Sequence, residues 1–248
     1  MKSLDNQTAV VTGASSGIGK ATCKELAKEK VNLVLASRSK EKLVEISEDI
    51  EERFDVETKV VETDVTRKED VENLFEETVE EFGEPDIVVN NAGLTYSGDV
   101  ADMDYEDYEK TMAVNVDGMF YVAKNAIDHL EETKGNLIFL GSIAGQYPRG
   151  TNPVYAGTKW WTRGFALSLE SQIGDKDIGV TIINPSEVRT KFNSETGKAF
   201  EKEFEEGEVT EASDVAEAVV YASKQEERNT VSEIDLYRRD KLSDFTFK

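Results

Sequence analysis

Short apolar runs alternate with longer stretches of helical period along nearly the whole chain. The apolar runs fall at residues 8–12, 31–37, 57–62, 86–90, 136–140, 180–184 and 230–236, each of strand length. Between them, apolar positions recur every three or four residues. Leu43, Ile46 and Ile50 share one helical face over 40–54, and Val71, Leu74, Phe75, Val79 and Phe82 share another over 68–82. Further helices are expected up to about residue 30, over 105–132 with a bend near 113–116, over 155–173, and over 212–224. Strand and helix in succession imply right-handed crossovers and a parallel sheet covered by helices on both faces. The expected fold is α/β: one domain, 1–248, around a doubly wound parallel sheet of about seven strands. Nothing reads as a linker, a repeat or a low-complexity tract. Residues 189–207 interrupt the alternation as an excursion, expected to be mobile, before the last helix.

Composition narrows the chemistry. The chain has 248 residues, enough for one large domain to bury a sizeable core. One cysteine, Cys23, excludes a disulfide framework and a cysteine-based zinc site, and one histidine, His129, leaves little room for histidine chemistry. No metal site is expected. The formal charge is −22, from 51 acidic and 29 basic residues. Such a surface repels nucleic-acid phosphates and anionic lipid, so neither is an expected partner. The acidic residues cluster on expected helices, and they read either as solvated faces of an ordinary acidic protein or as adaptation to a salt-rich cytoplasm. No apolar run approaches the ~20 residues of a membrane span, and no segment resembles a signal peptide. A cytoplasmic protein is expected.

After the first apolar run comes Thr12-Gly13-Ala14-Ser15-Ser16-Gly17-Ile18-Gly19. Glycine allows a sharp turn, close approach of a pyrophosphate, and tight packing of helix on sheet. The helix N-terminus then offers free N–H groups and a positive dipole end. The spacing differs from G-x-G-x-x-G. It is also no phosphate loop of the nucleotide triphosphatases, because no Ser or Thr follows Lys20 and Ala14 stands where that loop starts with glycine. Further along lie Asn90-Asn91-Ala92-Gly93 at the end of the fourth run, Asn115 in the long helix, and Ser142 just after the fifth run. Tyr155 and Lys159 follow thirteen and seventeen residues after Ser142.

With these motifs in this order, the chain resembles the short-chain dehydrogenase/reductase family from residue 8 to about 236. The resemblance implies a Rossmann-type sheet and an NADP(H)-dependent oxidoreductase acting on a small carbonyl or alcohol substrate. It further implies cofactor contacts at Gly13, Ser15, Ser16, Gly17, Ile18, Gly19, Asn91, Ala92 and Gly93, and catalysis by Asn115, Ser142, Tyr155 and Lys159. Asn115 would hold a water that relays protons from Lys159. Asp64 and Val65 resemble the pair that contacts adenine. Pro185, Val188 and Thr190 match a segment that contacts the nicotinamide amide, although Ser186 replaces the family's usual glycine and leaves the loop conformation in question.

The residues support the chemistry on their own terms. Tyr155 and Lys159 are one helical turn apart and project from one face. A free tyrosine titrates at ~10, and a neighbouring ammonium is expected to lower that toward the working range of a proton-transfer group. Ser142 follows a strand at its carboxyl end, where open α/β sheets place their sites, and its hydroxyl suits a substrate oxygen. At the end of the second run an NAD-binding chain is expected to carry a carboxylate. Here stand Ser37 and Arg38, with Lys42 one turn on, which favours a 2′-phosphate and hence NADP(H). Tyr155 and Lys159 are counted among the cofactor contacts too.

Residues 189–207, with Phe192, Phe200 and Phe204, are expected to cover the substrate cleft. By resemblance, the helices at 105–132 and 155–173 pair across a two-fold axis, so a homodimer or homotetramer is expected. Trp161 reads either as core packing or as part of that contact. The substrate stays open among a simple ketone or aldehyde, a hydroxy-amino acid and a 3-oxoacyl thioester. An NADP(H)-binding sensor on the same fold is the alternative function. A hydrolase fails because no G-x-S-x-G elbow surrounds Ser142.

Overall fold

Strands covered on both faces carry apolar side chains at consecutive positions, and all five residues of the first strand are buried. The computed structural model describes residues 1–96, 98–192, 199–226 and 228–239. Its first half runs β1 (Thr8–Thr12), α1 (Gly17–Lys28), β2 (Asn32–Ser37), α2 (Lys40–Arg53), β3 (Thr58–Glu62), α3 (Lys68–Phe82) and β4 (Ile87–Asn90). There follow α4 (Tyr105–Met112), α5 (Met119–Thr133), β5 (Asn136–Leu140), α6 (Pro153–Ile173) and β6 (Gly179–Pro185). The chain then forms β7 (Val188–Arg189), α7 (Phe200–Glu203), β8 (Thr210–Glu211), α8 (Ala212–Ser223) and β9 (Glu233–Leu236).

Seven of these strands form one parallel sheet in the order β3-β2-β1-β4-β5-β6-β9. Val10 of β1 stands opposite Val34 of β2 and Val88 of β4. Alternate residues of each strand feed opposite cores. Val11, Leu35 and Val89 pack with Leu26 of α1, Leu43 of α2 and Val219 of α8. Val10, Val34 and Val88 pack with Phe75 of α3, Val122 of α5 and Leu169 of α6. Strand order reverses at β1, which leaves a crevice beyond the carboxyl ends of β1 and β4, the place where such sheets receive ligands.

The bend expected near 113–116 is a π-helical turn, Ala113–Gly118, joining α4 to α5. Its Gly118 lies against the loop after β3: a Cβ there would stand 2.8 Å from Val65 Cγ2. β9 is shorter than expected, starting at Glu233, and Thr230 ahead of it donates its hydroxyl to the Val180 carbonyl (3.1 Å). The excursion is closed at its base by a two-stranded parallel pair, β7 with β8. Within it Phe200 and Phe204 are in tilted contact at 6.0 Å. Residues 193–198 of the expected cleft-covering segment, and the tail 240–248, lie outside the described residues. His129 has a packing role: its Nδ1 meets Glu84 at 2.6 Å and its ring stacks on Phe75. Among the described residues, no helix is long and apolar enough to cross a membrane.

Candidate active site

The glycine turn between β1 and α1 is packed too tightly for side chains. Gly13 has φ +67°, and a Cβ on it would sit 2.8 Å from Asn91 Nδ2. A Cβ on Gly19 would collide with the Gly13 carbonyl oxygen. Gly17, Ile18 and Gly19 form the first turn of α1, which has no acidic residue and whose N-cap, Ser16, makes no side-chain cap bond. Its N–H groups thus face the crevice beside half-buried Ser15 and exposed Ser16, a cradle that suits a pyrophosphate.

Asn91 bolts this turn to β4. Its Nδ2 donates to the Thr12 carbonyl (2.7 Å), and the backbone N–H groups of Asn91 and Ala92 both donate to Thr12 Oγ1 (3.0 and 3.1 Å). Thr12 is a site residue that the sequence reading passed over. Its signal was a hydroxyl at the end of a buried strand, directly before glycine.

At the end of β2, Ser37 Oγ accepts from the Ser39 N–H (3.2 Å). Arg38 and Lys42 are exposed, and neither forms an ion pair among the described residues. Asp64 closes the turn after β3, accepting from the Thr66 N–H (3.0 Å) and hydroxyl (2.8 Å) through one oxygen, while Val65 is buried beneath the π turn.

The four expected catalytic residues converge near the carboxyl ends of β4 and β5. Ser142 follows β5, is buried, and accepts from the Ala144 N–H (3.1 Å) through Oγ. Tyr155 and Lys159 lie on the first two turns of α6, with Lys159 Nζ 5.8 Å from the Tyr155 ring centre. Asn115 is fully buried in the π turn. It accepts from the Leu94 N–H (2.9 Å), and its Nδ2 donates to the Leu94 carbonyl (2.8 Å) and to Thr158 Oγ1 (3.1 Å). Its side chain is therefore a clamp on the segment after β4, close to Gly93, whose Cβ position lies 3.5 Å from Asn115 Oδ1 and 3.9 Å from Lys159 Nζ.

The expected depression of the tyrosine is absent from this structure. Burial pushes Tyr155 up to about 12, against the pull of the Ser142 hydroxyl bonded to it and of the Arg149 charge. The Lys159 ammonium does not offset that burial. It is itself buried, donates to the Leu140 carbonyl (2.8 Å), and is lowered by desolvation to about 8. Phe192 lies tilted against the Tyr155 ring at 5.8 Å and contributes to its enclosure.

The segment after β6 folds back toward the glycine turn. Pro185 ends β6, Val188 pairs with Thr210, and the Thr190 methyl lies 3.3 Å from the Cβ position of Gly17. Ser186 is not in the left-handed region, so a residue with a side chain fits where the family's glycine was expected. Its N–H donates to the Leu236 carbonyl (2.9 Å), and its buried hydroxyl has no partner among the described residues. Of the two adjacent tryptophans, Trp161 is half-buried and stacked on Phe165 at 4.8 Å, whereas Trp160 is 46% exposed.

The sequence profile described as short chain dehydrogenase matches residues 7–200. An uncharacterized oxidoreductase of Staphylococcus epidermidis is 34% identical over 237 residues, covering 95% of this chain and 99% of that one. Among solved structures, an alcohol dehydrogenase from the archaeon Thermococcus sibiricus, complexed with 5-hydroxy-NADP, superposes with a TM-score of 0.85. It is 29% identical over 93% of this chain and 96% of its own. A serine dehydrogenase in its closed form, complexed with NADP+, gives a TM-score of 0.86 at 25% identity, covering 94% and 95%.

Proposed function

This chain belongs to the short-chain dehydrogenase family, a family of oxidoreductases, and from that premise we propose that it moves a hydride between NADP(H) and the carbonyl or secondary alcohol carbon of a small molecule. The convergence of Ser142, Tyr155, Lys159 and Asn115 beside the open N-terminus of α1 carries the reading. The Gly13–Gly19 turn would hold the pyrophosphate, and Pro185, Val188 and Thr190 the nicotinamide end. When bound, the nicotinamide supplies or accepts the hydride.

The chain's own residues handle the proton and the oxygen. With Tyr155 near 12, its phenol is protonated at neutral pH and ready to donate to a carbonyl oxygen. Ser142 holds that oxygen from the other side. Lys159 keeps most of its charge at neutral pH, and that charge favours the phenolate left after donation. Asn115 fixes the segment that carries Gly93, and Phe192 excludes water from the tyrosine.

For the cofactor, exposed Arg38 and Lys42 present cations where a carboxylate would repel a 2′-phosphate. The NADP-type ligands of the two solved relatives support this choice. A cytoplasmic homodimer or homotetramer completes the proposal.

The test is a panel of ketones, aldehydes, hydroxy acids and their alcohols, each assayed with NADPH or NADP+ and with NADH or NAD+. NADPH-dependent turnover is expected, and Tyr155→Phe should lower kcat by at least ~100-fold with little change in NADPH affinity. Turnover that survives Tyr155→Phe would remove Tyr155 from the chemistry, and a preference for NADH would remove Arg38 from phosphate recognition.

A further inference from the structure

We infer that one carboxylate at the far edge of the sheet, Glu233, sets the register of the Ser142 turn against the Tyr155 helix through Gln146, Asn184 and Arg163. This rests on the reading of Ser142 and Tyr155 as the groups that meet the substrate.

Ser142 opens a short 3-10 turn, Ile143–Gly145, and Gln146 closes it. The Gly145 N–H donates to the Ser142 carbonyl (2.8 Å), and the Gln146 N–H donates to the Ile143 carbonyl (3.0 Å). The turn lies flush on α6, since a Cβ on Gly145 would stand 2.5 Å from the Lys159 carbonyl oxygen. Sliding the turn along that helix would move Ser142 relative to Tyr155. The start of the turn is tied by the Gly141 N–H to the Ile183 carbonyl (2.8 Å) and by Lys159 to the Leu140 carbonyl (2.8 Å). Bonds within the turn do not hold its far end, which needs an anchor of its own.

Gln146 supplies the anchor. Its Nε2 donates to Glu233 Oε1 (3.1 Å) and Asp235 Oδ1 (2.7 Å) on β9, and its Oε1 accepts from the Tyr237 hydroxyl (2.5 Å). The same Glu233 is gripped at both oxygens by Arg163, from Nε (2.6 Å) and Nη2 (2.9 Å). Arg163 lies one helical turn beyond Lys159 and two beyond Tyr155, so it reports the position of the catalytic face of α6. Fully buried Asn184 completes the link. Its Nδ2 donates to Glu233 Oε1 (2.7 Å) and Asp235 Oδ1 (3.0 Å), while its Oδ1 fills the space that a Cβ on Gly141 would need. Gly141 is the residue before Ser142. Three elements of the site thus meet at one side chain.

Donors and acceptors in the cluster have a single consistent arrangement. Arg163 holds the Glu233 carboxyl below the usual carboxylate range, so it remains an acceptor across neutral pH. The Glu233 and Asp235 carboxylates accept only, which fixes the Gln146 amide with Nε2 toward β9 and leaves its Oε1 to accept from the Tyr237 hydroxyl. A network with one allowed polarity holds geometry in a way a lone surface pair does not. Misplacing a reacting group by about an ångström can lower a rate by up to ~100-fold.

The test uses the full chain with Gln146→Leu, Glu233→Gln and the double variant, assayed with NADPH and 4-nitrobenzaldehyde as a probe carbonyl. Each single variant is expected to lower kcat by about 10- to 100-fold, with KM for the aldehyde and Kd for NADPH within threefold of the parent. The double variant should be no worse than the poorer single one, because both act through one link. In the oxidation direction, the pH of half-maximal rate should rise, since a displaced Ser142 no longer lowers Tyr155. Parent-like kcat in Gln146→Leu, losses that multiply in the double variant, or an equal loss of NADPH affinity would each overturn the inference.

Crystal structures give a readout that needs no turnover. The Ser142 Oγ to Tyr155 hydroxyl separation should grow by about an ångström in Gln146→Leu, and an unchanged separation overturns the network. If the parent binds NADPH yet reduces no carbonyl of the panel, the proposed reaction fails, and this separation still decides the network. Should Glu233→Gln fail to fold, Gln146→Leu, at a half-buried side chain with no charge removed, carries the same test.

Discussion

Lys159 is held where an ammonium is costly. Burial lowers it from 10.5 to about 8, so between those pH values the unfolded chain binds a proton that the folded chain has released. Stability contributed by this residue therefore rises from pH 8 to pH 10.5, and below pH 8 the full penalty of about 3 kcal/mol applies. Lys159→Met removes that penalty and also the bond to the Leu140 carbonyl, a loss of about 1 kcal/mol. The variant should be inactive yet about 2 kcal/mol more stable at pH 7, with the gain gone by about pH 10. Urea melts at the two pH values measure this, and a variant less stable than the parent at pH 7 would contradict it. The placement of Ser142 at a strand end, and of Tyr155 and Lys159 one turn apart, was legible because a helical turn and a strand end are local features. The titration of Tyr155 was not, because it depends on Phe192, 37 positions away, and on the route Lys159 takes to Leu140. Asn115 had the same limit: its clamp on Leu94 joins segments 21 positions apart.

Among the elements, six of the seven strands were read to within one residue at each end, β1 and β5 without error, and β9 starts three residues later than its run. A π turn leaves no separate signature in hydrophobic spacing, so 113–118 was visible only as a bend. The two-residue strands β7 and β8 are too short to show any alternation, and only their pairing reveals them. The tryptophans show how one position matters on a helix. Trp161 falls in line with Phe165, on the side of the core residue Leu169, whereas Trp160 is rotated by about 100° toward the surface. The β1–α1 turn makes the most direct prediction at this scale. Gly19→Ala would force its methyl into the Gly13 carbonyl, which is backbone and cannot swing aside. Destabilisation of about 1–3 kcal/mol is expected, together with at least tenfold weaker NADPH binding in a fluorescence titration. Parent-like binding would show that the turn tolerates a shift that this packing forbids.

At the scale of the whole molecule, four of the exposed large apolar side chains among the described residues lie on α4, α5 and α6. Tyr105 is 87% exposed, and Tyr108, Phe120 and Trp160 are each more than two-fifths exposed. In a chain of formal charge −22, these side chains are the candidates for the contact surface of the proposed dimer. If the proposed dimer forms there, Trp160→Glu should yield a monomer by light scattering at micromolar concentration while keeping NADPH affinity. A dimer that persists unchanged would move the contact elsewhere. The Thr12–Asn91 bolt has a further consequence, in time rather than in space. β1 lies mid-sheet, yet the partner that closes its turn is 79 residues downstream. A ribosome adding roughly 5–20 residues per second needs about 4–16 s to reach it. During that interval the first strand has its neighbour β2 but no β4, and the glycine turn has nothing to close against. A nascent chain arrested before residue 86 carries every glycine of the motif and still lacks a nucleotide cradle.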